Sequence, residues 1–150
     1  MNLFGVLELS GSALGAERQR AEVVASNMAN AETTRTPEGG PYKRRLVVFR
    51  AQRIPQFSLV LAGFQSMAAR GVRVDQVIDS AAPPIRRFQP GHPDADAQGY
   101  VAYPAIDPVE EMTDLLGAMR AYELNSSAVQ SAKAMIQQSF EILRLEGARR

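Results

Sequence analysis

The sole histidine, His92, sits in Pro90-Gly91-His92-Pro93-Asp94-Ala95-Asp96, with two carboxylates close by. An imidazole beside two carboxylates is a donor set for a hard or borderline metal ion. A surface turn is the better reading, because three ligands crowded into five residues with two prolines rarely make a closed site. The chain has no cysteine. That removes disulfides, thiolate zinc sites and a thiol nucleophile together. Glu110 and Glu111 are neighbours, so on a helix they diverge and are not expected to act as a pair. In a first helical turn their charge suits the helix dipole. Lys43-Arg44-Arg45 is a basic run, but in a strand its members alternate faces and no aromatic platform is interleaved for base stacking. A solvated edge or a subunit contact is preferred there over a nucleic-acid patch. Asn125-Ser126-Ser127 fits a glycosylation triplet but falls in the middle of an expected helix. No phosphate-cradling glycine loop, nucleophile elbow or zinc-protease motif occurs. With no convergent acid, base or nucleophile, the chain is expected to have no catalytic residues, no metal and no cofactor, and not to be an enzyme.

The segments that carry these residues fall into three parts and a linker. Residues 1–30 read as a helix. Leu3, Leu7, Leu14, Ala21, Val24 and Met28 lie on a ladder that alternates steps of four and three, with Ser10 and Glu17 in its gaps. That period belongs to a helix that packs along one side. Gly11 and Gly15 each weaken a helix by roughly 1 kcal/mol relative to Ala, so the first half is expected to form poorly until something packs on it. Residues 31–41 are a linker, dense in turn and stop residues, with Pro37 and Pro41 disfavouring helix before them.

Residues 42–107 form a β-rich middle domain. Lys43–Phe49, Gly71–Ile78 and Tyr100–Tyr103 are expected strands, with Val72, Val74 and Ile78 sharing a face. Phe57–Phe64 is a strand or a buried loop, and Gln89–Asp94 is a turn. Residues 108–150 read as one long helix. Met112, Leu115, Met119, Tyr122, Ser126, Val129, Lys133, Ile136, Phe140 and Leu143 step by three and four without a break. Within this ladder Leu115, Tyr122, Val129, Ile136 and Leu143 recur every seven residues and mark an expected packing seam. The expected fold is therefore α+β: long N- and C-terminal helices forming an antiparallel coiled-coil stalk, with a small β-rich middle domain. Leu9, Leu116 and Met135 lie off the main ladders, and such leftover apolar positions point to lateral association.

The chain has 150 residues, of which 45 % are apolar and 22 % charged, and its net charge is +1. That balance argues against wholesale disorder and gives no electrostatic reason for nucleic acid or an anionic membrane as partner. No segment approaches the roughly 18 consecutive apolar residues of a membrane span. The terminal ladders also lack the basic polar face of an interfacial helix, so no direct membrane insertion is expected. Met1–Val6 has no basic residues ahead of an apolar stretch, and a cleaved secretory signal is not expected.

Ala25-Ser26-Asn27-Met28-Ala29-Asn30-Ala31-Glu32-Thr33-Thr34 resembles the N-terminal signature of flagellar axial proteins. The matching positions are Ala25, Ser26, Asn27, Met28, Ala29, Asn30, Thr33 and Thr34, while Glu32 stands where Asn is more usual. Asn27 and Asn30 carry short amides suited to freed backbone groups at a helix end. A second stretch, Pro90-Gly91-His92-Pro93-Asp94-Ala95 leading into Gly99-Tyr100-Val101-Ala102-Tyr103-Pro104, is similar to a block of the proximal-rod branch of that family, with Gln89 where Asp is usual. Glu110-Glu111-Met112, Arg120-Ala121-Tyr122-Glu123 and Ser131-Ala132-Lys133 resemble the family's C-terminal helix.

The resemblance implies a structural subunit of the proximal rod of the bacterial flagellar basal body. Such a subunit would assemble with other rod proteins and copies of itself into a drive shaft that transmits torque from motor to hook. It implies passage through the flagellar type III export apparatus, without a cleaved signal, to a location that spans the periplasm. The competing readings are another flagellar axial subunit, which the Pro90–Asp94 block disfavours, and a cytoplasmic helical adaptor. An enzyme would need a polar pocket within residues 42–107.

Overall fold

The computed structural model describes residues 3–52 and 71–147. Helix α1 spans Leu3–Ala29 and is followed by strands β1 (Arg45–Gln52), β2 (Gly71–Asp79), β3 (Ile85–Phe88) and β4 (Tyr100–Tyr103), then helix α2 (Pro108–Gly147). The strands make two small antiparallel sheets, β1 with β2 and β3 with β4. The α+β class expected from the sequence is the observed one. The expected segment Phe57–Phe64 lies outside the described residues.

Two compact units make up the chain. Of the described residues, one gathers 3–18, 49–52, 71–74 and 119–147, and the other gathers Gln19–Val48 and Asp75–Ala118. In the first, Ser10, Ala16 and Ala132 are buried. The Ser12 hydroxyl donates to the Leu9 carbonyl at 2.7 Å and accepts the Val72 N–H at 3.0 Å, which pins the start of β2 to α1. Gly71 is needed at that close approach, because a Cβ there would lie 2.5 Å from the Ser12 hydroxyl oxygen. Helix α1 runs unbroken through Gly11 and Gly15, both on its exposed side.

In the second unit, Val24, Val101, Tyr103, Ile106 and Ala118 form the apolar core. α1 ends as its amides suggest: the Asn30 side chain donates to the Ser26 carbonyl at 2.9 Å. The chain then doubles back, with the Tyr42 N–H donating to the Thr33 carbonyl at 3.0 Å. The β3–β4 register pairs Ile85 with Tyr103 and Phe88 with Tyr100. β3 has no counterpart among the expected strands, since Ile-Arg-Arg-Phe lacks alternation and all four residues are exposed. α2 starts on Asp107, whose carboxylate accepts the Val109 N–H at 2.9 Å, with Pro108 at the first helical position.

The inward line of α2 differs from the expected ladder. Glu111, Ala118 and Ala132 are buried and Asn125 is half-buried, whereas Met112, Met119, Lys133 and Phe140 of the ladder are exposed. Leu115, Val129 and Ile136 are half-buried beside that line, and Tyr122 is exposed. Small and polar side chains occupy the crowded line, and the bulkier Met and Phe side chains lie outside it.

Candidate assembly site

In the second unit the end of α1, the start of β1 and the first turns of α2 meet around one amide. Asn27 is 1 % exposed. Its Nδ2 donates to the Arg45 carbonyl at 2.9 Å and to Glu111 Oε2 at 3.0 Å. Its Oδ1 accepts the Arg45 N–H at 2.9 Å and the Tyr42 hydroxyl at 3.2 Å. All four hydrogen-bonding positions of the side chain are thereby filled. Both backbone groups of Arg45 are engaged, so the Asn27 side chain does for the edge of β1 what a neighbouring strand would do.

Glu111 is 0 % exposed. Its Oε1 accepts from Arg44 Nε at 2.5 Å, and the same guanidinium lies 3.2 Å from Glu110 and 3.7 Å from Asp114. Burial pulls the Arg44 pKa down. The hydrogen bonds and charges of Glu111 and Glu110 outweigh that, and the net shift is upward. Arg20 on α1 adds a contact to Asp114 at 3.3 Å. Glu110 and Glu111 diverge around the helix, one exposed and one buried, yet the forked guanidinium of Arg44 reaches both. Of the basic run, Arg44 faces inward while Lys43 and Arg45 are exposed, and the Arg45 guanidinium lies over the Tyr42 ring at 5.7 Å.

The rest of the signature is placed around this junction. Ser26 approaches Tyr42 oxygen to oxygen at 3.4 Å, and the Thr33 hydroxyl donates to Asn30 Oδ1 at 3.2 Å. Met28 is half-buried, while Ala25 and Ala29 are exposed. The Thr34 hydroxyl donates to Asp94 Oδ2 at 2.8 Å, and Arg35 lies 3.5 Å from the same carboxylate. The signature and the Pro90–Asp94 block, separate in the sequence, thus touch. Within the block Pro90, Gly91 and Pro93 are exposed and His92 is half-buried. The His92 Nδ1 accepts the Asp94 N–H at 3.1 Å, a turn contact. Asp96 instead binds Arg86 and the N–H groups of Gln98 and Tyr100. The side chains of His92, Asp94 and Asp96 therefore face different partners.

Of the expected seam, Leu115, Val129 and Ile136 are half-buried on α2 and Tyr122 is exposed; the Leu143 side chain lies outside those described. Leu116, Leu124, Met135, Phe140 and Ile142 are exposed on the same helix, with Met112 and Met119. Sequence reasoning does not single out Arg44, Tyr42, Glu111 and Asp114 as members of one site. The available signal is a basic run, Lys43-Arg44-Arg45, and a paired-acid first turn in α2, Glu110-Glu111, that can balance it.

Comparison with known proteins gives a consistent picture. Residues 7–35 match the family model "Flagella basal body rod protein", and residues 97–142 match "Flagellar basal body rod FlgEFG protein C-terminal". A flagellar basal-body rod protein FlgC of Yersinia enterocolitica is 40 % identical over 136 residues, covering 91 % of this chain and 94 % of its own. The protein of that name from Bacillus subtilis is 38 % identical over 149 residues, covering 95 % and 99 %. The one from Borreliella burgdorferi is 36 % identical over 151 aligned residues, also covering 95 % and 99 %.

Proposed function

The chain belongs to the FlgC family of flagellar basal-body rod proteins and is a structural subunit of the rod; on that premise we propose how its surface serves assembly. The subunit takes its place in the proximal rod beside other rod proteins and copies of itself, within the shaft that carries torque from motor to hook across the periplasm. It reaches that place through the flagellar type III export apparatus. It performs no catalysis. The terminal helices 1–30 and 108–150 act as an antiparallel coiled-coil stalk, joined through the linker 31–41 to the middle domain 42–107.

The observation that carries this reading is the large apolar side chains that α2 leaves exposed. Leu124 is 73 % and Phe140 67 % exposed, and Met112, Leu116, Met119, Met135 and Ile142 are at least half exposed on the same helix. Single exposed apolar residues are ordinary, but seven around one helix leave more apolar area in water than one packed neighbour would cover, which favours association. The seam Leu115, Tyr122, Val129, Ile136 and Leu143 lends support, because Tyr122 is exposed and Leu115, Val129 and Ile136 are not fully covered within the subunit.

The test is Leu124→Asp, beside Val129→Asp on the seam and Gln98→Ala in the hairpin loop. A carboxylate at position 124 meets water in the free subunit but must be desolvated in an assembly, at a cost of several kcal/mol per copy. Leu124→Asp should keep the melting point and cellular level of the subunit while abolishing hook assembly and swimming. Val129→Asp should abolish both functions as well, and Gln98→Ala should swim normally. Normal swimming by both Asp variants would sink the reading.

A further inference from the structure

The junction around Asn27 raises a question that burial alone does not answer. Four hydrogen bonds and an ion pair occupy a place that apolar side chains could fill at less desolvation cost. The fully buried apolar side chains that the two helices supply to this unit, Val24 on α1 and Ala118 on α2, are short and offer no deep knob to hold one helix at a fixed height along the other. In the same unit the polar contacts from α1 to α2 are specific in height, Asn27 to Glu111 and Arg20 to Asp114.

We propose that Asn27, Glu111 and Arg44 are positioning residues that set the register of the last turns of α1 against the first turns of α2. A shift of α2 by one turn, about 5.4 Å, would withdraw the Glu111 carboxylate from both Arg44 Nε and Asn27 Nδ2. It would leave the buried Asn27 amide donor without its acceptor and take from the half-buried Arg44 guanidinium its one fully buried carboxylate. Among the described residues of this unit, no other buried side chain carries a carboxylate to replace it. The cluster therefore penalises every register but one, which is the best-attested use of a buried polar group between helices. Arg44 and Arg45 also tie that register to the edge of β1, since Asn27 holds the Arg45 backbone through two hydrogen bonds. The signature asparagine thus transmits the height of α2 to the strand that follows the linker.

The isolated full-length chain tests this without reference to assembly, so its outcome stands apart from the proposed function. In Asn27→Leu with Glu111→Leu, Arg44 retains Glu110 and Asp114 as partners. Apolar burial offsets only part of the loss, because the Arg45 N–H and carbonyl and the Tyr42 hydroxyl also lose Asn27; the melting midpoint should fall while the chain still unfolds in one cooperative transition. The amide resonances of Val24 and Ala118 should split or broaden into more than one set, while those of the β3–β4 hairpin stay single and sharp. Glu111→Gln, which keeps the shape and one acceptor, should give one dominant set. A single sharp set for Val24 and Ala118 in the Leu pair would overturn the proposal, because apolar packing would then suffice to fix the register. Collapse of the hairpin resonances along with the rest would overturn it too, since the cluster would then serve mainly stability.

Discussion

Glu111→Ala is the sharpest perturbation of stability that the structure offers. The carboxylate it removes is wholly buried and serves Arg44 Nε at 2.5 Å and Asn27 Nδ2 at 3.0 Å. Breaking a buried pair from one side typically costs about 3–5 kcal/mol, because the remaining charge is left without compensation. Here the loss belongs near the lower end. Arg44 keeps Glu110 at 3.2 Å and Asp114 at 3.7 Å, and its side chain is 18 % exposed, so water reaches part of the guanidinium. One Asn27 N–H is orphaned in addition, worth about 1 kcal/mol or more. A total of about 4 kcal/mol corresponds to a fall of roughly 8–16 °C in the melting midpoint for a chain of this size. Urea unfolding followed by circular dichroism, with the slope m compared between variant and parent, measures it directly. A loss below about 1 kcal/mol at unchanged m would refute the reasoning: it would mean that water or a shifted side chain replaces the carboxylate freely.

Two glycines should respond in opposite directions to alanine. Gly99 has φ +82°, and a Cβ there would lie 2.9 Å from the Phe88 ring, so Gly99→Ala should cost about 1–3 kcal/mol by thermal melt. Gly117 is exposed in α2 with nothing within 4 Å of a Cβ, and Gly117→Ala should stabilise the free subunit by up to about 1 kcal/mol; a lower melting point would contradict the open geometry. The hairpin loop should be acid-labile. The Tyr100 N–H, with the Gln98 N–H and Arg86, holds the Asp96 carboxyl below the ordinary aspartate value despite partial desolvation. A carboxyl depressed by folding contributes stability that is present above its unfolded value and lost as pH falls through its folded one. The Tyr100 and Gln98 amide shifts should therefore titrate below the usual aspartate range. A midpoint at or above that range, or an unchanged titration in Asp96→Asn, would contradict the assignment.

Much of the architecture is legible in residue types. The 3–4 periodicity of both ends gives two long helices, and strands over Arg45–Gln52, Gly71–Asp79 and Tyr100–Tyr103 follow from β-branched and aromatic runs. β3 escapes, because its apolar ends flank two arginines and its stability comes from pairing with β4 rather than from a buried face of its own. The signature asparagines are legible as helix-end amides, which is right for Asn30. Asn27 instead reaches across to β1 and α2, and a contact over 84 residues of chain has no local signature. Glu111 is hidden for the same reason. In sequence it is one of two acids in a first turn, and only the fold distinguishes the buried one from its exposed neighbour.

The difference between the expected and observed inner lines of α2 bears on how such a helix works. An apolar ladder read from sequence is assigned inward by default, since burial of large side chains is the usual driving force for folding. In α2 the inward line is Glu111, Ala118, Asn125 and Ala132, while Met112, Met119 and Phe140 point away from it. A helix apolar on more than one side needs more than one partner. Its two faces can then serve different ends. Small and polar groups inside give specificity of register at little gain in burial, and large flexible groups outside supply area for association. Met is suited to the outer face, because an unbranched thioether adapts to surfaces that are not perfectly repeated. On the proposed reading, the apolar side chains that α2 leaves exposed in one subunit are the area that a neighbouring rod subunit would cover.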